Sequence, residues 1–84
     1  MAKRVVFTDQ AQAELRAIPQ HIAIQILHTL ARFLSSEEGD VRRLQGVDPP
    51  LYRLRIQDHR VFFRDLGNGL IEVTRVRHRR EAYR

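Results

Sequence analysis

The residues best suited to chemistry in this chain are arginines, and they cluster in its second part. Residues 1–50 carry equal numbers of basic and acidic side chains, whereas residues 51–84 carry nine arginines and four carboxylates and hold the whole net charge of +5. Arginine presents a planar fork that grips phosphate or carboxylate with two hydrogen bonds. A GC-rich genome could explain the arginine bias but not its clustering, which predicts an anionic partner for the second part of the chain.

Strand-like alternation places many of these arginines on one face. Arg53 and Arg55 alternate with apolar residues, and Arg60 follows a two-residue turn on the next strand. Three more share a parity on the strand after that: Arg75, Arg77 and Arg79. The spacing predicts a concave cationic patch on the sheet. An ordinary solvated sheet face is the alternative, but such faces usually mix in Lys, Glu, Thr and Ser.

Three other residues accompany the arginines and have two readings each. Tyr83 could stack on an unpaired base or close the edge of the core. His59 and His78 flank the basic strands, where they could exchange protons near neutral pH or serve as surface and turn residues. His21 and His28 share a helix face without further ligands, so no metal site is expected there.

Several other classes of site are excluded because the sequence lacks the residue types or motifs that they need. The chain has no cysteine, so disulfides and thiolate metal sites are excluded, and its two serines, Ser35 and Ser36, argue against a serine–histidine hydrolase. No glycine-rich phosphate loop follows a strand, and no acidic cluster suggests two-metal chemistry. The apolar run at residues 5–7 is too short for a signal peptide or a membrane span, so a cytoplasmic protein without membrane contact is expected.

The first half of the chain must position these residues through two helices. A short strand is expected at residues 3–7, and Thr8 or Asp9 can cap the helix that follows. Apolar spacing predicts helices over residues 9–17 and 20–34, separated by Pro19. With almost no linker between them, the two helices should form an antiparallel hairpin.

After a connector the apolar period changes to two. The connector covers residues 41–50, and strands are predicted over residues 51–56, 59–65 and 70–78. Gly67-Asn68-Gly69 is a strong hairpin signal. Val73 and Val76 fall on opposite parities, which predicts a bulge near Thr74 and Arg75.

These elements predict an α+β fold in one domain spanning residues 1–84. The N-terminal strand and helical hairpin precede a three-stranded antiparallel meander, giving the order β-α-α-β-β-β. The apolar face of the twisted sheet should pack on the helices. The first strand should join an edge or pair with a late strand.

In this order and spacing, the segments resemble the RelE/ParE superfamily of toxins from type II toxin–antitoxin systems. The likeness covers nearly the whole chain and is carried by YRLR at residues 52–55, HRVFF at 59–63 and HRREAY at 78–83, supported upstream by Phe7, Ile18-Pro19 and Leu44-Gln45-Gly46. It implies the RelE-like microbial RNase fold. In the RelE branch it also implies ribosome-dependent cleavage of mRNA without metal or other cofactor, which inhibits translation and arrests growth.

The resemblance also implies partners and residue roles. A cognate antitoxin encoded by an adjacent gene, the ribosome and mRNA are the expected partners. Arg53 and Arg55 match the paired basic positions, Arg60 the arginine that holds the scissile phosphate, and Arg79 and Tyr83 the C-terminal arginine and base-stacking aromatic. These five are the expected catalytic residues. Further contacts to the RNA are expected from Arg64, Arg75, Arg77 and Arg80.

One departure bears on the mechanism. Some members of the superfamily have lysine where this chain has Arg53 and Arg55, and arginine does not give up its proton in proteins. Either electrostatic stabilisation dominates, or His59 or His78 transfers the proton. Two other functions stay open: a ParE-like inhibitor that binds DNA gyrase without catalysis, and a nucleic-acid-binding domain without activity. The arginine and aromatic at the C-terminal end favour the ribonuclease.

Overall fold

The computed structural model describes residues 4–36 and 38–82, and within them the predicted α+β fold class is confirmed, with one strand and one short helix added to the predicted order. The elements are β1 (Arg4–Phe7), α1 (Asp9–Arg16), α2 (Gln20–Ser36), β2 (Asp40–Arg43), β3 (Tyr52–Ile56), β4 (His59–Gly67), β5 (Leu70–His78) and α3 (Arg79–Ala82). The one-turn helix α3 occupies part of the basic tail, where no periodic pattern predicts a helix.

The strands form one sheet in the order β1-β5-β4-β3-β2. The predicted antiparallel meander β3-β4-β5 is present, and β1 joins the edge as a parallel partner of β5. Strand β2 lies in the segment predicted to be a connector. Its four residues include one apolar side chain, Val41, so they show no alternation. Its pairing with β3 is what makes it a strand.

Two local signals in the meander are confirmed. Asn68 and Gly69 have φ values of 55° and 74° at the β4–β5 turn, a left-handed conformation that suits glycine and asparagine. The register steps from Phe62 opposite Arg75 to Phe63 opposite Val73. Thr74 is therefore the extra residue of a bulge in β5, at the place predicted from the change of parity.

The core lies between helix α2 and one face of the sheet. Ile26, Leu30 and Phe33 supply the buried side of α2, and they belong to one cluster with Leu54 and Val61 from the sheet. The helical spacing of the first three residues explains why this face of α2 is buried. No helix in the described part of the chain has both the length and the apolar character needed to cross a bilayer.

Thr8 ties helix α1 to the sheet. Its hydroxyl oxygen accepts the backbone N–H of Ala11 at 3.1 Å, which caps the helix as the sequence predicts. The same hydroxyl donates to the carbonyl oxygen of Thr74 at 2.9 Å, and the backbone N–H of Thr8 donates to Val73 at 3.0 Å. One residue thus starts α1 and holds it beside the bulge of β5.

Candidate functional site

The sheet face opposite helix α2 is dominated by arginines. Leu54, Val61 and Val76 are cross-strand neighbours, and all three are buried in the core. Because successive side chains of a strand alternate, their chain neighbours point to the opposite face. We call this surface the arginine face. Its members are Arg42, Arg53, Arg55, Arg60, Phe62, Arg64 and Arg77, with two carboxylates, Asp40 opposite Arg55 and Glu72 opposite Arg64.

Strand register brings predicted catalytic arginines into two neighbouring rows. Arg60 is the Cα partner of Arg55 on β3 and of Arg77 on β5, so these three form one row. Arg53 lies in the next row, opposite Phe62. Directly opposite side chains have Cβ atoms about 4.5–5.5 Å apart. The face can therefore contact several groups of one anionic chain at once.

Arg60 is the least exposed cation of the arginine face, with 4% of its surface accessible. Its Nη1 donates to the carbonyl oxygens of Gln57 at 3.4 Å and of His59 at 3.3 Å, both at the β3–β4 turn. The guanidinium is thus held in place between Arg55 and Arg77 of the neighbouring strands.

Arg79 is the first residue of helix α3 and lies beside the β3–β4 turn. Its backbone N–H donates to the carbonyl oxygen of Asp58 at 2.7 Å, and its Nη1 lies 3.9 Å from the carboxylate of Asp58, with both side chains largely exposed. Arg80 follows on helix α3 and is exposed. Tyr83, the predicted stacking aromatic, lies outside the described residues.

His59 and His78 lie together, but on the helix side of the sheet. They are cross-strand partners whose rings are 5.2 Å apart in an edge-to-face arrangement. Both line a cavity of about 160 Å³ with Glu14 and Ile18, among others, from α1 and its C-terminal end. Nδ1 of His78 accepts the backbone N–H of Arg80 at 3.2 Å. The imidazoles are therefore separated from the arginine face by the sheet backbone.

Arg75 is engaged by a partner that the sequence did not reveal. Its Nε and Nη2 donate to the carboxylate of Glu14 on α1, at 3.0–3.2 Å. The same carboxylate accepts the backbone N–H of Val76 at 2.8 Å, at the part of β5 that β1 does not cover. Glu14 thus neutralises one predicted RNA-binding arginine and seals the edge of β5 next to the bulge.

The remaining predicted contact, Arg64, lies on β4 two residues beyond Phe62 and opposite Glu72. Its Nε is buried without a hydrogen-bond partner among the described residues, and the same holds for the Nε of Arg53. The sequence missed Arg42 because its segment shows no strand period. Phe62 lies on the same face as Arg60 and Arg64, because these three residues alternate along β4 with buried ones.

The arginine face can act chemically through the positive charges of its guanidinium groups. Among the residues that the structure describes, no three His, Asp or Glu side chains are grouped so that they could hold a metal ion. The arginine face can bind a polyanion and stabilise negative charge that develops on a phosphate. The fold and the site together define a small α+β domain with an arginine-rich sheet face opposite helix α2.

A family model described as the ParE toxin of a type II toxin–antitoxin system, parDE, matches residues 5–83. The chain belongs to this family, and so to the RelE/ParE superfamily of toxins that its sequence resembles. It is a toxin of a type II toxin–antitoxin system. Among curated proteins, none is similar enough in sequence to count as a match.

Three solved toxin–antitoxin complexes contain a chain similar to this one. The archaeal RelE–RelB complex from Pyrococcus horikoshii OT3 contains a chain with TM-score 0.74 and 25% identity, covering 94% of this chain and 97% of that one. The RelB–RelE complex from Methanococcus jannaschii has TM-score 0.72 and 22% identity, with coverages of 93% and 94%. The complex RelBE2 from Mycobacterium tuberculosis has TM-score 0.70 and 22% identity, with coverages of 93% and 99%. These likenesses confirm the RelE-like fold.

Proposed function

We propose that this toxin is a metal-independent endoribonuclease that cleaves mRNA on the ribosome, inhibits translation and so arrests growth. The observation that carries the proposal is the row formed by Arg55, Arg60 and Arg77, with the buried Arg60 at its centre. Such a row suits a phosphate that gains charge during reaction. The proposal requires the protein to act in the cytoplasm, where translation takes place.

The reaction uses the RNA's own nucleophile. The 2′-hydroxyl attacks the adjacent phosphorus, loses its proton and forms a new O–P bond, while the bond from phosphorus to the 5′-oxygen breaks and that oxygen gains a proton. The products are a 2′,3′-cyclic phosphate and a free 5′-hydroxyl. Negative charge accumulates on the phosphate oxygens on the way, and preorganised donors stabilise it by roughly 3–4 kcal/mol each in comparable anion sites.

Each arginine has a role that follows from its place. Arg60 holds the scissile phosphate, because its guanidinium is already anchored at the β3–β4 turn. Arg55 and Arg77 flank that phosphate, and Arg53 and Arg79 contact the chain on either side of it. Such alignment lowers the entropic cost of bringing the 2′-hydroxyl in line with the leaving oxygen.

The arginine face offers phosphate binding but no side chain well suited to act as a general base. Arginines stay protonated, and the rings of His59 and His78 lie on the helix side of the sheet. We therefore assign the rate acceleration mainly to electrostatic stabilisation and alignment rather than to a histidine base. Tyr83 remains the proposed base-stacking residue on the grounds of the sequence resemblance.

The proposed physiological partner is a cognate antitoxin encoded beside this gene. The similar solved chains are each complexed with a RelB antitoxin or belong to a toxin–antitoxin complex. An acidic antitoxin segment would neutralise the arginine face and keep RNA away. Co-expression with the product of the adjacent reading frame should restore growth and yield a complex that dissociates more readily at high salt.

The catalytic proposal is tested with three variants, one at a buried arginine and two at exposed ones. We expect Arg60→Ala and Arg79→Ala to lower mRNA cleavage on purified ribosomes by about 10²–10³-fold, as the loss of one donor does in other anion sites. Arg55→Gln tests the same face at an exposed position, where folding is not at risk. Arg32→Gln, on the exposed side of α2, is the matched control. Wild-type cleavage rates in all three face variants, with circular dichroism unchanged, would refute the proposal.

A second candidate is favoured by one specific observation. The family model that matches residues 5–83 describes the ParE toxin, and the residues that the two branches share do not separate them. In that case the protein would bind DNA gyrase without catalysis. Purified toxin would then block supercoiling by gyrase, and its induction would trigger the DNA-damage response before translation falls. The ribonuclease gives the reverse order and leaves gyrase active.

A further inference from the structure

Phe62 lies in the middle of the arginine face. Its chain neighbours Val61 and Phe63 are buried in the core, so its ring lies on the other side of the sheet. Its cross-strand partners are Arg53 and Arg75. Helix α2 packs on the opposite face, and Phe62 is only partly buried. A flat apolar ring is thus presented among cations.

Two guanidinium groups beside this ring have unmet hydrogen-bonding capacity. Arg53 lies directly across from Phe62, and Arg64 lies two residues further along β4, about 7 Å away. The Nε atoms of both are buried without a hydrogen-bond partner among the described residues. A buried N–H without an acceptor is unfavourable, so a ligand that offers an anionic oxygen to a reoriented guanidinium is favoured. The surroundings of Phe62 therefore suit a ligand with a flat face and phosphate oxygens beside it.

The backbone beneath the ring is braced. The carbonyl oxygen of Phe62 accepts a hydrogen bond from the hydroxyl of Thr74, the bulge residue, at 3.3 Å. The carbonyl of Thr74 in turn accepts the hydroxyl of Thr8 at 2.9 Å. A braced platform loses little freedom when a ligand stacks on it, which favours binding.

We propose that Phe62 is a stacking platform for an unpaired base of single-stranded RNA, with Arg53 and Arg64 contacting the phosphates beside that base. This inference rests on the proposed function and adds a base-contacting position to it. Stacking on a sheet-borne aromatic tolerates any base, because every base has a flat face. It would let the toxin grip mRNA of varied sequence next to the phosphate it cleaves.

The test measures equilibrium binding of the full chain to short single-stranded 2′-O-methyl RNA, in which the proposed nucleophile is blocked. Each variant is also measured on an oligonucleotide of equal length and charge that carries abasic sites. We expect Phe62→Leu to weaken binding of the intact oligonucleotide about 5- to 150-fold, the range of base–aromatic stacking, and to leave abasic binding unchanged. Phe62→Trp should retain binding, since it keeps an aromatic surface.

Salt dependence separates the ring from its neighbours. Arg53→Gln and Arg64→Gln should each reduce the slope of log affinity against log salt by about 0.7, whereas Phe62→Leu should leave the slope unchanged. Arg32→Gln, away from the face, controls for loss of net charge. Equal weakening of intact and abasic binding by Phe62→Leu would mean that the ring only supports the sheet, and it would overturn the inference.

The inference would also be overturned if the Phe62→Leu variant bound intact RNA as tightly as the wild type does. This holds even if the variant has lost affinity for an acidic antitoxin segment, because the ring would then contact the antitoxin and not a base. The fate of the ribonuclease proposal is read separately, because cleavage is measured on ribosomes with unmodified mRNA. Loss of the stacking effect with cleavage intact refutes the Phe62 platform alone. Stacking without any cleavage refutes the ribonuclease alone.

Discussion

Replacement of Glu14 by alanine should destabilise the fold more than removal of its ion-pair partner Arg75. The carboxylate accepts two kinds of hydrogen bond, from the Arg75 guanidinium at 3.0–3.2 Å and from the backbone N–H of Val76 at 2.8 Å. The side chains of Arg75 and Glu14 are 33% and 21% exposed, so water weakens the ion pair only in part. Glu14→Ala removes both interactions, whereas Arg75→Ala removes the first.

The magnitudes follow from these contacts. A partly buried, forked ion pair contributes about 1 kcal/mol, and a backbone N–H that loses its acceptor costs about 1–2 kcal/mol more. We expect Arg75→Ala to lower the free energy of unfolding by about 1 kcal/mol and Glu14→Ala by about 2–3 kcal/mol. Glu14→Gln keeps an oxygen for Val76 and should cost about 1 kcal/mol. In a domain of this size, the loss in Glu14→Ala corresponds to a fall in Tm of roughly 10–20 °C.

The assay is urea unfolding followed by circular dichroism, on the two single variants and the double variant. The double-mutant cycle should give a coupling energy of about 1 kcal/mol between Glu14 and Arg75. A coupling below about 0.3 kcal/mol would mark an ordinary surface pair and refute the reasoning. So would a Glu14→Ala variant that is no less stable than Arg75→Ala, because the bond to Val76 would then contribute nothing.

Three further variants test other parts of the structure. Thr8→Val should lower stability by about 1–2 kcal/mol, because it removes the cap of α1 and the bond to the bulge; thermal unfolding would show it. Gly39→Ala should cost about 1–3 kcal/mol, since a Cβ there would lie 3.2 Å from Phe33 and closer still to a core leucine; an unchanged Tm would contradict this. Arg55→Gln should reduce the salt slope of single-stranded RNA binding by about 0.7, while Arg32→Gln should not.

The sequence predicted the antiparallel meander, its hairpin turn and its bulge, because period-two patterns and turn residues are local signals. The parity change between Val73 and Val76 predicted the bulge, and the Gly-Asn-Gly run predicted the hairpin. Strand β2 was not predicted, since its pairing with β3 depends on a partner distant in sequence rather than on its own residues. Helix α2 also continues two residues beyond its predicted end, to Ser36.

For the site, sequence parity predicted the shared face of Arg53, Arg55 and Arg60 but not their surroundings. Parity could also have assigned the histidines to the helix side, because His59 alternates in step with the core residues Val61 and Phe63. The engagement of Arg75 by Glu14 could not be foreseen, since it joins residues 61 positions apart. Such a contact arises only once α1 covers the open edge of β5.

The row of like charges across β3, β4 and β5 has a thermodynamic consequence for the free protein. Arg55, Arg60 and Arg77 repel one another in the folded state and separate on unfolding. This repulsion lowers the free energy of unfolding, and the other contacts of the fold must outweigh it. Replacing the exposed Arg55 by glutamine should therefore make the domain more stable and less able to bind a polyanion, which is the trade between stability and activity found at many functional surfaces. Binding of an anionic partner to that face should therefore raise the free energy of unfolding of the domain.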